Sequence, residues 1–118
     1  MNLLITGAWH GAKDCRQELE QMGHSLCFLQ QERDALPCDP SWAEGIVGNA
    51  IFQFHPIEAF GHLRYLQLTT AGLDRVPMEY TRQHSILVHN ARGVYSGPMA
   101  EYAVAGVLSL LKQMGDFY

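Results

Sequence analysis

Hydrophobic and polar positions along the chain form short apolar runs separated by polar, glycine-bearing stretches, and the runs themselves predict the elements. Asn2-Leu3-Leu4-Ile5-Thr6 is apolar without alternation and stops at Gly7, the pattern of a strand covered on both faces. Residues 12–22 place Cys15, Leu19 and Met22 at helical spacing among Lys13, Arg16, Glu18 and Glu20, with Gly23 as the stop, so an amphipathic helix is expected there. Residues 25–29 predict a second strand, the polar and proline-containing residues 30–40 a loop, and residues 42–44 a short helical turn. Gly45-Ile46-Val47-Gly48 predicts a third strand, residues 57–63 a short helix after Pro56, and residues 64–68 a fourth strand. Residues 69–74 read as a loop, 76–83 as a short helix or irregular segment, and 86–89 as a fifth strand.

The last apolar run, residues 98–114, is the longest. Ser96 or Gly97 can cap it, Pro98 fits its first turn, and Glu101 sets negative charge near the positive end of the dipole. A helix over these residues would be roughly 25 Å long at 1.5 Å per residue. Glu101, Ser109 and Lys112 share one sector, while Met99, Val104, Leu108 and Leu111 belong to an apolar surface covering most of the remaining circumference. A helix resting on one sheet usually carries a single apolar stripe, so this one calls for a second partner surface. Self-association of the chain into a homo-oligomer through residues 98–114 is the expected consequence.

Strand and helix alternate throughout, which favours one α/β domain: a flavodoxin-like, five-stranded parallel sheet of order 2-1-3-4-5, with helices on both faces and a long C-terminal helix. Ligands in such sheets bind beyond the carboxyl ends of the strands, here the loops at residues 7–11, 48–54, 69–74 and 90–97.

Composition then removes several classes of function. At 47% hydrophobic and 17% charged, the 118 residues fit an ordinary globular domain with a substantial core. The net charge of −4, with eight scattered Lys and Arg, opposes nucleic-acid binding, which needs clustered cations. No run approaches the ~20 apolar residues of a membrane span, and the amino terminus has no signal-peptide pattern, so a cytoplasmic protein without a membrane partner is expected. Cys15, Cys27 and Cys38 are odd in number and lack C-x-x-C spacing, which favours reduced thiols over disulfides or zinc.

Three stretches carry candidate chemistry. Thr69-Thr70-Ala71-Gly72-Leu73-Asp74 follows a strand, and its small residues let successive backbone N–H groups turn toward a carboxylate or phosphate; the plain alternative is a tight strand exit. Gly7-Ala8-Trp9-His10-Gly11 lies between strand and helix, as a phosphate loop would, and resembles the opening of the short-chain dehydrogenase glycine motif. It lacks G-x-G-x-x-G, and Gln30 stands where a ribose-binding acid would close the second strand. His10, His55 and His89 fall near strand ends, without the spacing of a metal site.

Three motifs combine into a recognisable set. Leu66-Gln67-Leu68-Thr69-Thr70-Ala71-Gly72-Leu73-Asp74, then Ile86-Leu87-Val88-His89-Asn90-Ala91-Arg92-Gly93, then Met99-Ala100-Glu101-Tyr102-Ala103, resembles the D-isomer-specific 2-hydroxyacid dehydrogenases. The resemblance implies that residues 1–118 are the substrate-binding domain, with the Rossmann dinucleotide-binding domain and its catalytic Arg, Glu and His absent from this chain. No catalytic residue is assigned here. It implies a small 2-hydroxy or 2-keto acid held by Thr70, Ala71, Gly72 and Leu73, with Tyr95, Ser96 and Asn49 as further contacts. NAD or NADP would serve the complete enzyme, with none bound to this chain and the chain inactive alone. The alternatives are a flavodoxin-like binding or regulatory module without catalysis, and a short-chain dehydrogenase domain binding its cofactor at residues 7–11.

Overall fold

In the computed structural model, which describes residues 1–91, the five apolar runs form five strands: β1 Asn2–Thr6, β2 Ser25–Leu29, β3 Gly45–Gly48, β4 Tyr65–Leu68 and β5 Leu87–His89. All pairings are parallel and the order is β2-β1-β3-β4-β5, as the alternation predicts. Two helices, α1 Arg16–Gln21 and α2 Met78–Gln83, and three 3-10 turns make up the connections.

Register sorts the core. Leu4, Ile46 and Leu66 are partners across β1, β3 and β4 and project to one face, while Ile5, Val47 and Gln67 project to the other. The first face is sealed by Ile51, Ile57, Phe60 and Leu63 from the turns, and by Met78 and Tyr80 of α2. On the second face Leu3, Ile5 and Val47 pack against Trp9, Ala12 and Leu19. The connections therefore cover both faces of the sheet.

The expected helix over residues 12–22 is shorter, occupying only Arg16–Gln21. Residues ahead of it turn in steps of three: Ala12 N–H donates to Trp9 at 3.4 Å and Cys15 N–H to Ala12 at 3.2 Å. Trp9, Ala12 and Cys15 pack on the sheet at that spacing, and only from Cys15 to Leu19 does the step become the four of an α-helix. Residues 57–63 behave alike. The expected helix is the 3-10 turn Ile57–Ala59, because the buried Ile57, Phe60 and Leu63 recur every third residue, with Phe60 N–H donating to Ile57 at 3.0 Å and Leu63 N–H to Phe60 at 3.1 Å. The turn expected at residues 42–44 forms slightly earlier, at Pro40–Trp42, where Asp39 Oδ1 accepts the Ser41 N–H at 2.9 Å. The C-terminal helix expected over residues 98–114 lies outside the described residues, as do Tyr95 and Ser96.

Candidate functional site

The carboxyl ends of β3, β4 and β5 are tied into one rim. Thr69 N–H donates to the Gly48 carbonyl at 3.0 Å, and the Thr70 hydroxyl donates to Asn49 Oδ1 at 3.2 Å. From the other side, Ala91 N–H donates to the Thr70 carbonyl at 2.9 Å and Asn90 Nδ2 to the Ala71 carbonyl at 3.0 Å. These last two bonds orient the loop. The chain has no cis peptide among its described residues, and in a trans peptide the N–H points opposite to the carbonyl of the same unit. With the carbonyls of Thr70 and Ala71 directed to the β5 exit, the N–H groups of Ala71 and Gly72 are directed away from it. Among the described residues neither N–H donates a hydrogen bond.

Two adjacent donors on an accessible loop can hold a carboxylate. Ala71 is half-buried, and Gly72 and Leu73 are exposed. Gly72 makes room rather than an unusual turn: a Cβ there would lie 2.8 Å from Asp74 Oδ1. Asp74 also brings negative charge beside the donors. That charge opposes an anion at the loop, and a cation beside it would offset the effect.

Below the rim, Tyr65 donates to Gln67 Oε1 at 2.7 Å, Gln67 Nε2 donates to the Leu68 carbonyl at 3.0 Å, and His89 Nδ1 stands 3.4 Å from the same Gln67 oxygen. Tyr65 and Gln67 are fully buried, and burial pushes the Tyr65 phenol well above its ordinary pKa. This network fixes the end of β4 against β5. Tyr65→Phe is expected to destabilise the fold by about 1–2 kcal/mol, because Gln67 Oε1 loses its short donor inside the sheet. Urea unfolding measures the change, and a loss below about 0.3 kcal/mol would mean that water or another donor replaces the phenol.

Thr70, Ala71, Gly72, Leu73 and Asn49 thus come together. Asn90, which sequence reasoning placed in a motif without a role, holds the loop; its signal was its position directly after β5. His10 follows β1 and lines a cavity of about 410 Å³ with Gly7, Gln30 and Phe54, while His55, after β3, places Nε2 2.8 Å from the Glu32 carbonyl oxygen. Among the described residues no three His, Cys, Asp or Glu side chains converge to hold a metal ion. The Cys38 thiol is pushed up to about 11, first by burial and then by its hydrogen bond with Cys27, so it is not a nucleophile at neutral pH.

The β1 exit does not fit a dinucleotide. Residues 7–15 make turns rather than a helix start, and the Thr6 hydroxyl donates to the Glu32 carboxylate at 3.1 Å, setting negative charge where a pyrophosphate would need donors.

A flavodoxin-like α/β domain with a loop rim at its carboxyl edge is the class that sheet and site define. The chain belongs to the D-isomer specific 2-hydroxyacid dehydrogenases, whose catalytic-domain model matches residues 15–115. No curated protein sequence matches it. Among solved structures the fold is similar to phosphoglycerate dehydrogenase from Lactobacillus plantarum, with TM-score 0.59 and 18% identity over 95% of this chain and 36% of that one. It is also similar to apo D-lactate dehydrogenase from Escherichia coli, with TM-score 0.54 and 18% identity over 98% of this chain and 39% of that one. D-lactate dehydrogenase with NAD+ from Lactobacillus jensenii gives TM-score 0.54 and 16% identity over 99% of this chain and 38% of that one. The chain spans little more than a third of these structures.

Proposed function

We propose that this chain is the substrate-binding part of an NAD(P)-dependent 2-hydroxyacid dehydrogenase, with the Ala71 and Gly72 N–H groups holding the carboxylate of a small 2-hydroxy or 2-keto acid. The observation that carries the reading is the pair of hydrogen bonds from Ala91 and Asn90, which turns those two donors outward. Leu73, 38% exposed, would line the apolar side of the substrate, and Asn49 would supply its amide. Tyr95 and Ser96 are further contacts on this reading, taken from the family resemblance.

Hydride transfer and acid-base chemistry fall to a Rossmann domain that these residues do not include, and NAD or NADP binds there. Its cation would offset Asp74. The chain alone is then inactive, works in a reducing cytoplasm, and associates as a homo-oligomer through residues 98–114. An NMR titration of the 118-residue protein with pyruvate tests the reading. Amide shifts confined to Asn49 and residues 70–73 are expected, with a Kd in the region of about 1 mM or weaker. Butanone, which keeps the ketone and lacks the carboxylate, should leave them unmoved. Equal responses to both compounds, or none to pyruvate, would remove the carboxylate site.

A further inference from the structure

The loop between β2 and β3 reads in sequence as polar connection, yet it sends one carboxylate into the rim. Glu32 Oε2 accepts the Asn49 N–H at 2.8 Å and the Thr6 hydroxyl at 3.1 Å, while Oε1 accepts the Ala50 N–H at 2.9 Å. The Glu32 carbonyl oxygen is 2.8 Å from His55 Nε2, so backbone and side chain are both held. The approach is close: a Cβ at position 48 would lie 2.6 Å from Glu32 Oε2 and 3.2 Å from Thr6 Oγ1, so a side chain there would displace the carboxylate. Hydrogen bonds from N–H groups to a carboxylate are roughly twice as strong as neutral ones. With both oxygens occupied by donors of its own chain, Glu32 acts on structure, not as a base.

We propose that Glu32 is a positioning residue for the substrate site. Its carboxylate fixes the β3 exit in the conformation that brings the Asn49 amide to the Thr70 hydroxyl, and through Thr70 it sets the Ala71–Gly72 donors. In an order 2-1-3-4-5 sheet the crevice between β1 and β3 is the switch point where ligands ordinarily enter. Here an internal carboxylate bridges the two exits, from Thr6 to Asn49 and Ala50, and the ligand rim is assigned to the β3, β4 and β5 exits. The consequence for substrate rests on the proposed function; the consequence for the β3 exit does not.

Amide hydrogen exchange on the 118-residue protein separates the two. In Glu32→Ala, exchange at Asn49 and Ala50 is expected to rise about tenfold or more, the effect of losing one charge-assisted bond each, while Leu4 and Ile46 keep their protection. Acetate at about 100 mM, a free carboxylate on the vacated donors, should restore much of that protection. Packing alone would show no such rescue. Glu32→Gln, which keeps one acceptor oxygen, should exchange at an intermediate rate, and it carries the test if the alanine variant does not fold. Unchanged exchange at Asn49 and Ala50, or a loss spread evenly over β1 and β3 that acetate does not reverse, would overturn the proposal. In the pyruvate titration, Glu32→Ala should weaken the shifts at residues 70–73 about tenfold. Equal binding by variant and wild type would overturn the positioning role, whereas absence of binding by the wild type would sink the substrate reading and leave the exchange result standing.

Discussion

Replacing Phe60 by alanine is expected to lower stability by about 3–5 kcal/mol, the usual cost of removing a buried aromatic ring and leaving its cavity. Phe60 is 2% exposed and closes the sheet face built from Leu4, Ile46 and Leu66. Its ring meets Phe52 edge to face, with centroids 5.8 Å apart at 78°, a contact that adds about 0.5–1.5 kcal/mol beyond area burial. Backbone hydrogen bonds from Phe60 to Ile57 at 3.0 Å and from Leu63 to Phe60 at 3.1 Å hold the turn in place, which limits its collapse into the space left by the ring. A domain of this size is stable by about 6–18 kcal/mol, at roughly 0.05–0.15 kcal/mol per residue. One truncation therefore consumes a large part of the total. At about 4 °C per kcal/mol, thermal unfolding should fall by about 12–20 °C. A fall of less than about 4 °C would show that the turns, and not the ring, close this face.

The same turns show where sequence pattern was readable and where it was not. The central strands β1, β3 and β4 are buried runs that need no partner to be recognised, the edge strands β2 and β5 are apolar but partly exposed, and the order was expected from the alternation of strand and helix. Helix length did not follow. Ile57, Phe60 and Leu63, like Trp9, Ala12 and Cys15, recur every three residues, a spacing that is compatible with an α-helix over a short window. The burial of every third residue selects the tighter turn instead, and that choice is made by the sheet beneath. Local spacing alone could not decide it.

The candidate site divides in the same way. Thr70, Ala71, Gly72 and Leu73 were singled out by the family resemblance, because small residues after a strand serve equally well as a tight strand exit. Asn90 and Glu32 were not. Asn90 acts through a side chain reaching across from β5 to the Ala71 carbonyl, 19 positions away in sequence. Glu32 reaches Asn49 and Ala50 over 17 and 18 positions from a loop with no apolar pattern to mark it. Both are contacts of tertiary structure. Their effect is on backbone orientation, and orientation is what turns an Ala-Gly turn into a pair of aimed donors.

That distinction gives the second large effect. Ala71→Pro removes one of the two outward N–H groups and leaves the Thr70 and Ala71 carbonyls in place to accept from Ala91 and Asn90. Ala71 sits in a loop and its N–H donates to no described residue, so the fold loses no internal hydrogen bond. A hydrogen bond to a charged group contributes about 1.5–3 kcal/mol, so pyruvate affinity should fall about 10–100-fold and the shifts at residues 70–73 should disappear from an accessible titration. Ala71→Ser, which keeps the N–H, should bind as the wild type does. Amide spectra of β1, β3 and β4 serve as the check that the sheet is intact. If the proline variant kept wild-type affinity with an intact sheet, the carboxylate would have to be held by side chains such as Asn49 and Thr70, and the outward pair of backbone donors would have no part in binding.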